Sequence, residues 1–129
     1  MKLLTIIIIT FFTFSIFAQR SMEQVEQGPQ NYERALKSNI TGMVESAIFQ
    51  SVNFKLHYPG MNTDGITFQL NRLSREGQTE TVRYKAFLAS YFIQNPQLLS
   101  RIKRKLYKDE VQFFKMLTET LNSKLIVRN

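Results

Sequence analysis

His57 is the only histidine in a chain of 129 residues that contains no cysteine. A metal site built on several histidines or on thiolates is therefore excluded, and a Ser-His-Asp triad has a single possible base. That base closes an apolar-periodic stretch directly before Tyr58-Pro59. An imidazole in that place interacts with terminal carbonyls and with the helix dipole, so capping is favoured over catalysis. Acid–base work by paired carboxylates needs two carboxyl groups facing one another across a cleft. Glu76 and Glu80 instead flank a turn, and Asp109-Glu110 open a helix, which makes both pairs helix-end charges. The sequence has no phosphate loop, no dinucleotide glycine pattern and no metal-ligand spacing. The expectation is a protein that is not an enzyme and that takes no cofactor or metal.

The residues with more to offer are basic and aromatic. Arg101, Arg104, Lys105 and Lys108 recur at i, i+3, i+4 and i+7 and thus share one side of an expected fifth helix, away from Leu99, Ile102 and Leu106. Such a stripe suits anionic lipid, a phosphorylated glycan or an acidic protein face. The plainer reading is a solvated helix face partly neutralised by Asp109 and Glu110. Arg83 and Lys85 lie in the most apolar stretch of the chain, where charged groups need partners or an exit to water. Glu45 is the expected ion partner of Arg83. Tyr84 and Tyr91, seven residues apart, share a face and with Arg83 are candidates to line a groove, although packing alone also explains them.

The beginning of the chain sets the expected address. Lys2 supplies one charge, and Leu3 to Phe17 form a largely apolar, uncharged run that ends at Phe17-Ala18-Gln19. A short basic start, an apolar stretch of this length and a small residue at the cut read as a secretory signal over residues 1–18, cleaved after Ala18. Ile16 is larger than the residue usually found three before the cut, which leaves room for a shift of the site. The rival reading is an uncleaved anchor, but spanning the hydrocarbon takes roughly 20 apolar residues, and the run is shorter. With no cysteine near the cut, attachment as a bacterial lipoprotein is excluded. The expected location is the periplasm or the extracellular medium. The absence of disulfides suits the former better.

Removing 18 of the 129 residues leaves 111, enough for one modest domain. Lys2 leaves with the signal, so 16 Lys and Arg remain against 10 Asp and Glu, a net charge of +6. The imbalance sits toward the end: Arg72 to Arg128 holds 12 basic and five acidic residues. Charge of this kind speaks about partners rather than fold. For an exported protein nucleic acid is not an expected partner; a protein of the cell envelope comes first, and anionic lipid or polymer second.

The elements that must position these residues are helices. Residues 19–28 read as a polar flexible tether, and Pro29 as the first residue of a short helix carrying Tyr32, Ala35 and Leu36 to about Ser38. Asn39-Ile40-Thr41 matches the N-glycosylation pattern, yet reads better as a loop and cap. A helix from about Met43 to His57 repeats Val44, Ala47, Ile48, Ser51 and Val52 at helical spacing. Asn62-Thr63-Asp64 starts the next, which ends at Gly77. Thr79 caps a helix from Glu80 to about Gln94 that is apolar nearly all round and is expected at the centre. Asn95-Pro96 starts a fifth helix reaching about Tyr107, and Val111, Phe114, Leu117, Leu121 and Leu125 mark the sixth. No stretch alternates in the manner of a strand. The fold expected over residues 29–127 is all-α, with about six helices as three antiparallel pairs, in a short solenoid or a compact bundle.

Val44-Glu45-Ser46-Ala47-Ile48-Phe49 can be laid beside Val82-Arg83-Tyr84-Lys85-Ala86-Phe87, offset by 82 − 44 = 38, and Pro59 beside Pro96, offset by 37. That period lies near the range of HEAT-type helical repeats. Val82-Arg83-Tyr84-Lys85-Ala86 resembles the Val-Arg-x-x-Ala signature in the second helix of a HEAT repeat, and Val44-Glu45-Ser46-Ala47 resembles a degenerate copy. Through Met43 to Ala47, Arg83 to Ala89 and Asp109 to Phe114 the chain also resembles small exported bacterial proteins of unknown function. The resemblance implies stacked helix pairs and no particular activity. The combined expectation is an exported helical adaptor or scaffold.

Overall fold

The structure, a computed structural model, describes residues 22–102 and 109–127. These form six helices and no strand. We number them α1 (residues 22–36), α2 (Thr41–His57), α3 (Asp64–Glu76), α4 (Glu80–Gln94), α5 (Pro96–Leu99) and α6 (Glu110–Val127). The expected signal segment lies outside the described residues, as do Arg104, Lys105 and Lys108.

Short polar side chains fix the starts of α3, α4 and α6. The Asn62 side chain accepts from the backbone N–H of Asp64 at 2.8 Å. The Thr79 hydroxyl accepts from Val82 N–H at 3.1 Å. Asp109 accepts from the N–H groups of Val111 and Gln112 at 2.9 and 3.3 Å. Each satisfies donors that a first turn leaves open. At the end of α3 the Gly77 N–H bonds the Leu73 carbonyl at 2.9 Å. An added Cβ on Gly77 would lie 2.6 Å from that same carbonyl oxygen, so only glycine closes the turn this tightly.

α4 is the centre, as its all-round apolar sequence requires. Ala86, Leu88, Ala89 and Phe92 are fully buried, and α2, α3, α5 and α6 all pack against it. The helices form two rows. In one row α2, α4 and α6 run parallel: Thr41 meets Gln78 and Glu45 meets Lys85, while Tyr84 meets Thr118 and Tyr91 meets Lys124. In the other row α1 lies beside α3, with Arg72 Nη2 donating to the Leu36 carbonyl at 3.3 Å and the Glu33 carboxylate lying over Gly65. α3 and α4 are antiparallel: Asn71 pairs with Ser90, and an added Cβ on Gly77 would meet Val82. The offset of 37 read from Pro59 and Pro96 returns in space: both prolines line one crevice with Leu56 and Ile93.

Two elements differ from the sequence reading. Residues 22–28, read as a tether, belong to α1, so Pro29 is inside the helix and not at its start. Glu23, Gln24, Glu26 and Gln27 are exposed and are good helix formers once the opposite side has something to dock on. Gly28 provides that contact. A Cβ there would lie 2.8 Å from the Phe54 ring, and Tyr32 packs against the same ring at a tilt, with centroids 5.5 Å apart. α5 is the second difference, with 4 residues where a helix to about Tyr107 was expected. Ser100 turns its hydroxyl back to the Gln97 carbonyl at 2.7 Å. The N–H groups of Arg101 and Ile102 bond three residues back, and Ile102 is drawn into the core with 3% exposed.

Candidate functional site

The sequence candidates separate into two places. Arg101 is exposed in the turn that follows α5; the other three residues of the basic stripe are not among those described. Because α5 has already ended, Arg101 stands on no helix, and the i, i+3, i+4, i+7 geometry of a shared helical face does not apply to it. Arg83, Tyr84 and Tyr91 all lie on α4, but Arg83 turns toward α3 while Tyr84 and Tyr91 turn toward α6, and of the three only Tyr84 lines the groove between α4 and α6.

On α4, residues three, four and seven apart stack on one side. Tyr84, Phe87 and Tyr91 form such a row, with the Phe87 and Tyr91 rings 6.1 Å apart. Tyr84 and Phe87 are 49% and 48% exposed, high values for aromatics on a central helix. α6 anchors two of the three. The Thr118 hydroxyl donates to the Phe114 carbonyl at 2.9 Å, so its oxygen accepts from the Tyr84 hydroxyl, also at 2.9 Å. Lys124 donates to the Tyr91 hydroxyl at 3.3 Å and sits 5.5 Å above that ring. Between the N-terminal halves of α4 and α6 opens a groove of about 510 Å³. Tyr84, Val111 and Phe114 give it apolar walls, with Glu80 and Lys115 at its rim.

Arg83 does not pair with Glu45, the ion partner expected for it. Arg83 donates through Nη1 to the Gly77 carbonyl at 2.7 Å, which fastens α4 to the preceding turn. Glu45 pairs with Lys85 at 3.3 Å, and Glu110 pairs with the same ammonium at 2.6 Å. The reason is angular. Residues two apart on a helix point about 200° away from each other, so Arg83 faces the α3 side while Lys85 faces α2 and α6. Lys85 is only 15% exposed. Burial pushes its pKa down, but hydrogen bonds and charge from Glu110 and Glu45 outweigh burial and hold it above the ordinary lysine value.

His57 is exposed, and its Nδ1 lies 2.8 Å from the Asn53 carbonyl. A carbonyl only accepts, so Nδ1 is the donor, and the ring ties down the last turn of α2. Among the described residues no three His, Asp or Glu side chains gather closely enough to hold a metal ion. Nor is any described helix long and apolar enough to cross a membrane.

Sequence reasoning missed Phe87, which looked like core in an apolar helix, and Thr118, which carries no signal of its own. Their roles follow from where α6 lies. The fold and site thus define an all-helical bundle with an exposed aromatic row on its central helix. The chain matches no family model, no curated protein and no solved structure.

Proposed function

We propose that this chain is an exported, non-catalytic interaction module, an adaptor or scaffold that docks a protein of the cell envelope on its α4–α6 side. The carrying observation is the pair Tyr84 and Phe87, each about half exposed on the central helix. Aromatic side chains bury much apolar area at low entropic cost and are over-represented among residues that dominate binding energy. Export rests on the composition of residues 1–18, and an envelope partner on export together with the basic balance of the chain.

The test is site-specific photocrosslinking in intact cells. A photoreactive residue replacing Phe87 captures one defined protein, and the same residue replacing exposed Arg34 on α1 does not. Equal capture from both positions, or none from Phe87, refutes the reading.

A second reading rests on sequence charge alone: Arg101, Arg104, Lys105 and Lys108 fall within eight positions. It has the protein holding anionic lipid or polymer. Binding of the mature chain to anionic vesicles that disappears in high salt, and with Arg104→Ala/Lys105→Ala, supports it. Binding that ignores salt excludes it.

A further inference from the structure

A second cavity, of about 190 Å³, opens where the loop after α1, the start of α2, the end of α3 and the turn into α4 meet. All of its walls come from residues 37–82, and it shares no residue with the groove between α4 and α6. Pockets for drug-sized ligands begin at about 300 Å³, so this one suits an ion or a single chemical group.

Its polar groups are mostly donors. Arg72 is half-buried and held in place: its Nε donates to Oε1 of Gln69 at 2.9 Å and its Nη2 to the Leu36 carbonyl at 3.3 Å. Gln69 is itself only 6% exposed. Two of the five N–H donors of the guanidinium are thereby used, and no carboxylate among the described residues pairs with it. A cation partly withdrawn from water without a counter-ion is costly, and an anion beside it lowers that cost. Lys37 gives one of its donors to Glu33 at 3.0 Å and keeps the others. The Ser38 oxygen accepts from the Ile40 N–H at 3.1 Å, which leaves the hydroxyl proton to donate. Oε1 of Gln78 accepts from the Thr41 hydroxyl at 3.0 Å, which leaves the amide N–H groups of Gln78. Glu76 is the one acid among the lining residues, and it is exposed.

We infer that this pocket binds a small tetrahedral oxyanion, a phosphate group, through Arg72 and Lys37, with Ser38 and Gln78 supplying further hydrogen bonds. The surplus of donors over acceptors selects an anion. The planar fork of Arg72 matches two oxygens of one phosphate, and Lys37 adds a point charge for a third. The inference stands independently of the partner proposed for the α4–α6 side.

The experiment follows the backbone amide signals of the full mature chain by NMR while inorganic phosphate replaces chloride at constant ionic strength. The expected result is saturable movement of Ser38, Asn39, Thr41 and Gln78, with a Kd of about 1 mM or tighter. Arg72→Gln weakens binding about ten-fold or more. Lys37→Gln weakens it about two- to five-fold, the scale of an exposed charge, and Glu76→Gln tightens it by about the same factor. A purely structural Arg72 would not produce the gain from Glu76→Gln. If Arg72→Gln fails to fold, the variants at exposed Lys37 and Glu76 decide the matter. Methyl phosphate separates two sources of the group. Binding at least as tight as that of inorganic phosphate assigns the site to a phosphate carried on a larger molecule, and much weaker binding assigns it to the free ion. Movement that does not saturate, equal movement with acetate, or an affinity unchanged by the substitutions overturns the inference.

Discussion

Lys85 on α4 holds Glu110 on α6 at 2.6 Å while Glu45 on α2 reaches the same ammonium at 3.3 Å. One cation thus joins three parallel helices, and Phe114 lies beneath it with its ring centre 5.4 Å away. Removing one member of a largely buried ion cluster leaves the other charges uncompensated. Lys85→Met therefore destabilises the fold by about 2 kcal/mol, because the two carboxylates lose the cation that separated them. Glu110→Gln costs less, since Glu45 remains. Chemical denaturation of the three proteins checks the order.

The same cluster sets a pH dependence at the alkaline end. The Lys85 pKa in the folded chain is raised above the ordinary 10.5. The proton is therefore held more tightly in the folded state than in the unfolded one. Its contribution is complete below the unfolded value and declines as pH climbs past 10.5 through the folded value. The stability gap between the parent and Lys85→Met stays level from pH 7 to about 10 and narrows above it. A gap that widens above pH 10.5 contradicts the assignment.

Identical substitutions at two helical glycines act in opposite directions. Alanine in a helix is favoured over glycine by about 1 kcal/mol. At Gly42 nothing lies within 4 Å of an added Cβ, and Gly42→Ala raises stability by about 0.5–1 kcal/mol. At Gly28 the Cβ meets the Phe54 ring at 2.8 Å, and Phe54 is only 7% exposed. Overpacking of that kind costs about 1–3 kcal/mol, so Gly28→Ala lowers the melting temperature and separates α1 from α2. Thermal melts of both variants decide it.

Asn53 lies in α2 with its Nδ2 donating to the Phe49 carbonyl at 3.3 Å, while its Oδ1 is buried without a hydrogen-bond partner among the described residues. A buried acceptor left unpaired costs about 1–3 kcal/mol, and an apolar group of similar shape removes that cost. Asn53→Leu therefore raises the melting temperature, by about 4 °C for each kcal/mol gained in a domain of this size. A lower melting temperature would mean that the amide serves the fold in a way its contacts do not express.

α6 is held by its first half. Phe113 and Leu117 are fully buried, and Phe113 meets Phe49 edge-on with centroids 5.2 Å apart. Leu125, Ile126 and Val127 are 53, 74 and 87% exposed. Phe113→Ala costs about 3–5 kcal/mol through lost burial and the cavity it leaves. Ending the chain after Lys124 shifts the melting temperature by no more than about 2 °C, the range of an ordinary surface change. Calorimetry on the two variants separates the halves.

The local rules carried far along this chain. Thr79 capping α4, the Asn62 turn before α3, the Gly77 stop and Asp109 at the head of α6 all follow from side chains within a few residues of the backbone groups they satisfy. The apolar run Val82–Ile93 put α4 in the middle, although one side of it keeps Tyr84 and Phe87 half exposed. The near-37 offset between Pro59 and Pro96 foreshadowed two parallel helices in register. These properties are short-range or periodic, and a sequence displays both directly.

What only the tertiary structure decided depends on angles between elements. Arg83 and Lys85 are equally charged and two residues apart, and either was a reasonable partner for Glu45. The rotation of α4 against α2 gave that partner to Lys85 and sent Arg83 to Gly77. Glu23 to Gln27 read as a tether until Gly28 found the Phe54 ring. The brevity of α5 was hidden because Pro96 to Leu106 keeps a helical pattern, while the turn at Ser100 depends on Ile102 reaching a core assembled by other helices. Phe87 is exposed for the same reason: its surroundings are set by how far α5 runs and where α6 lies. Composition named the kinds of contact available to this chain, and the packing angles chose which of them were made.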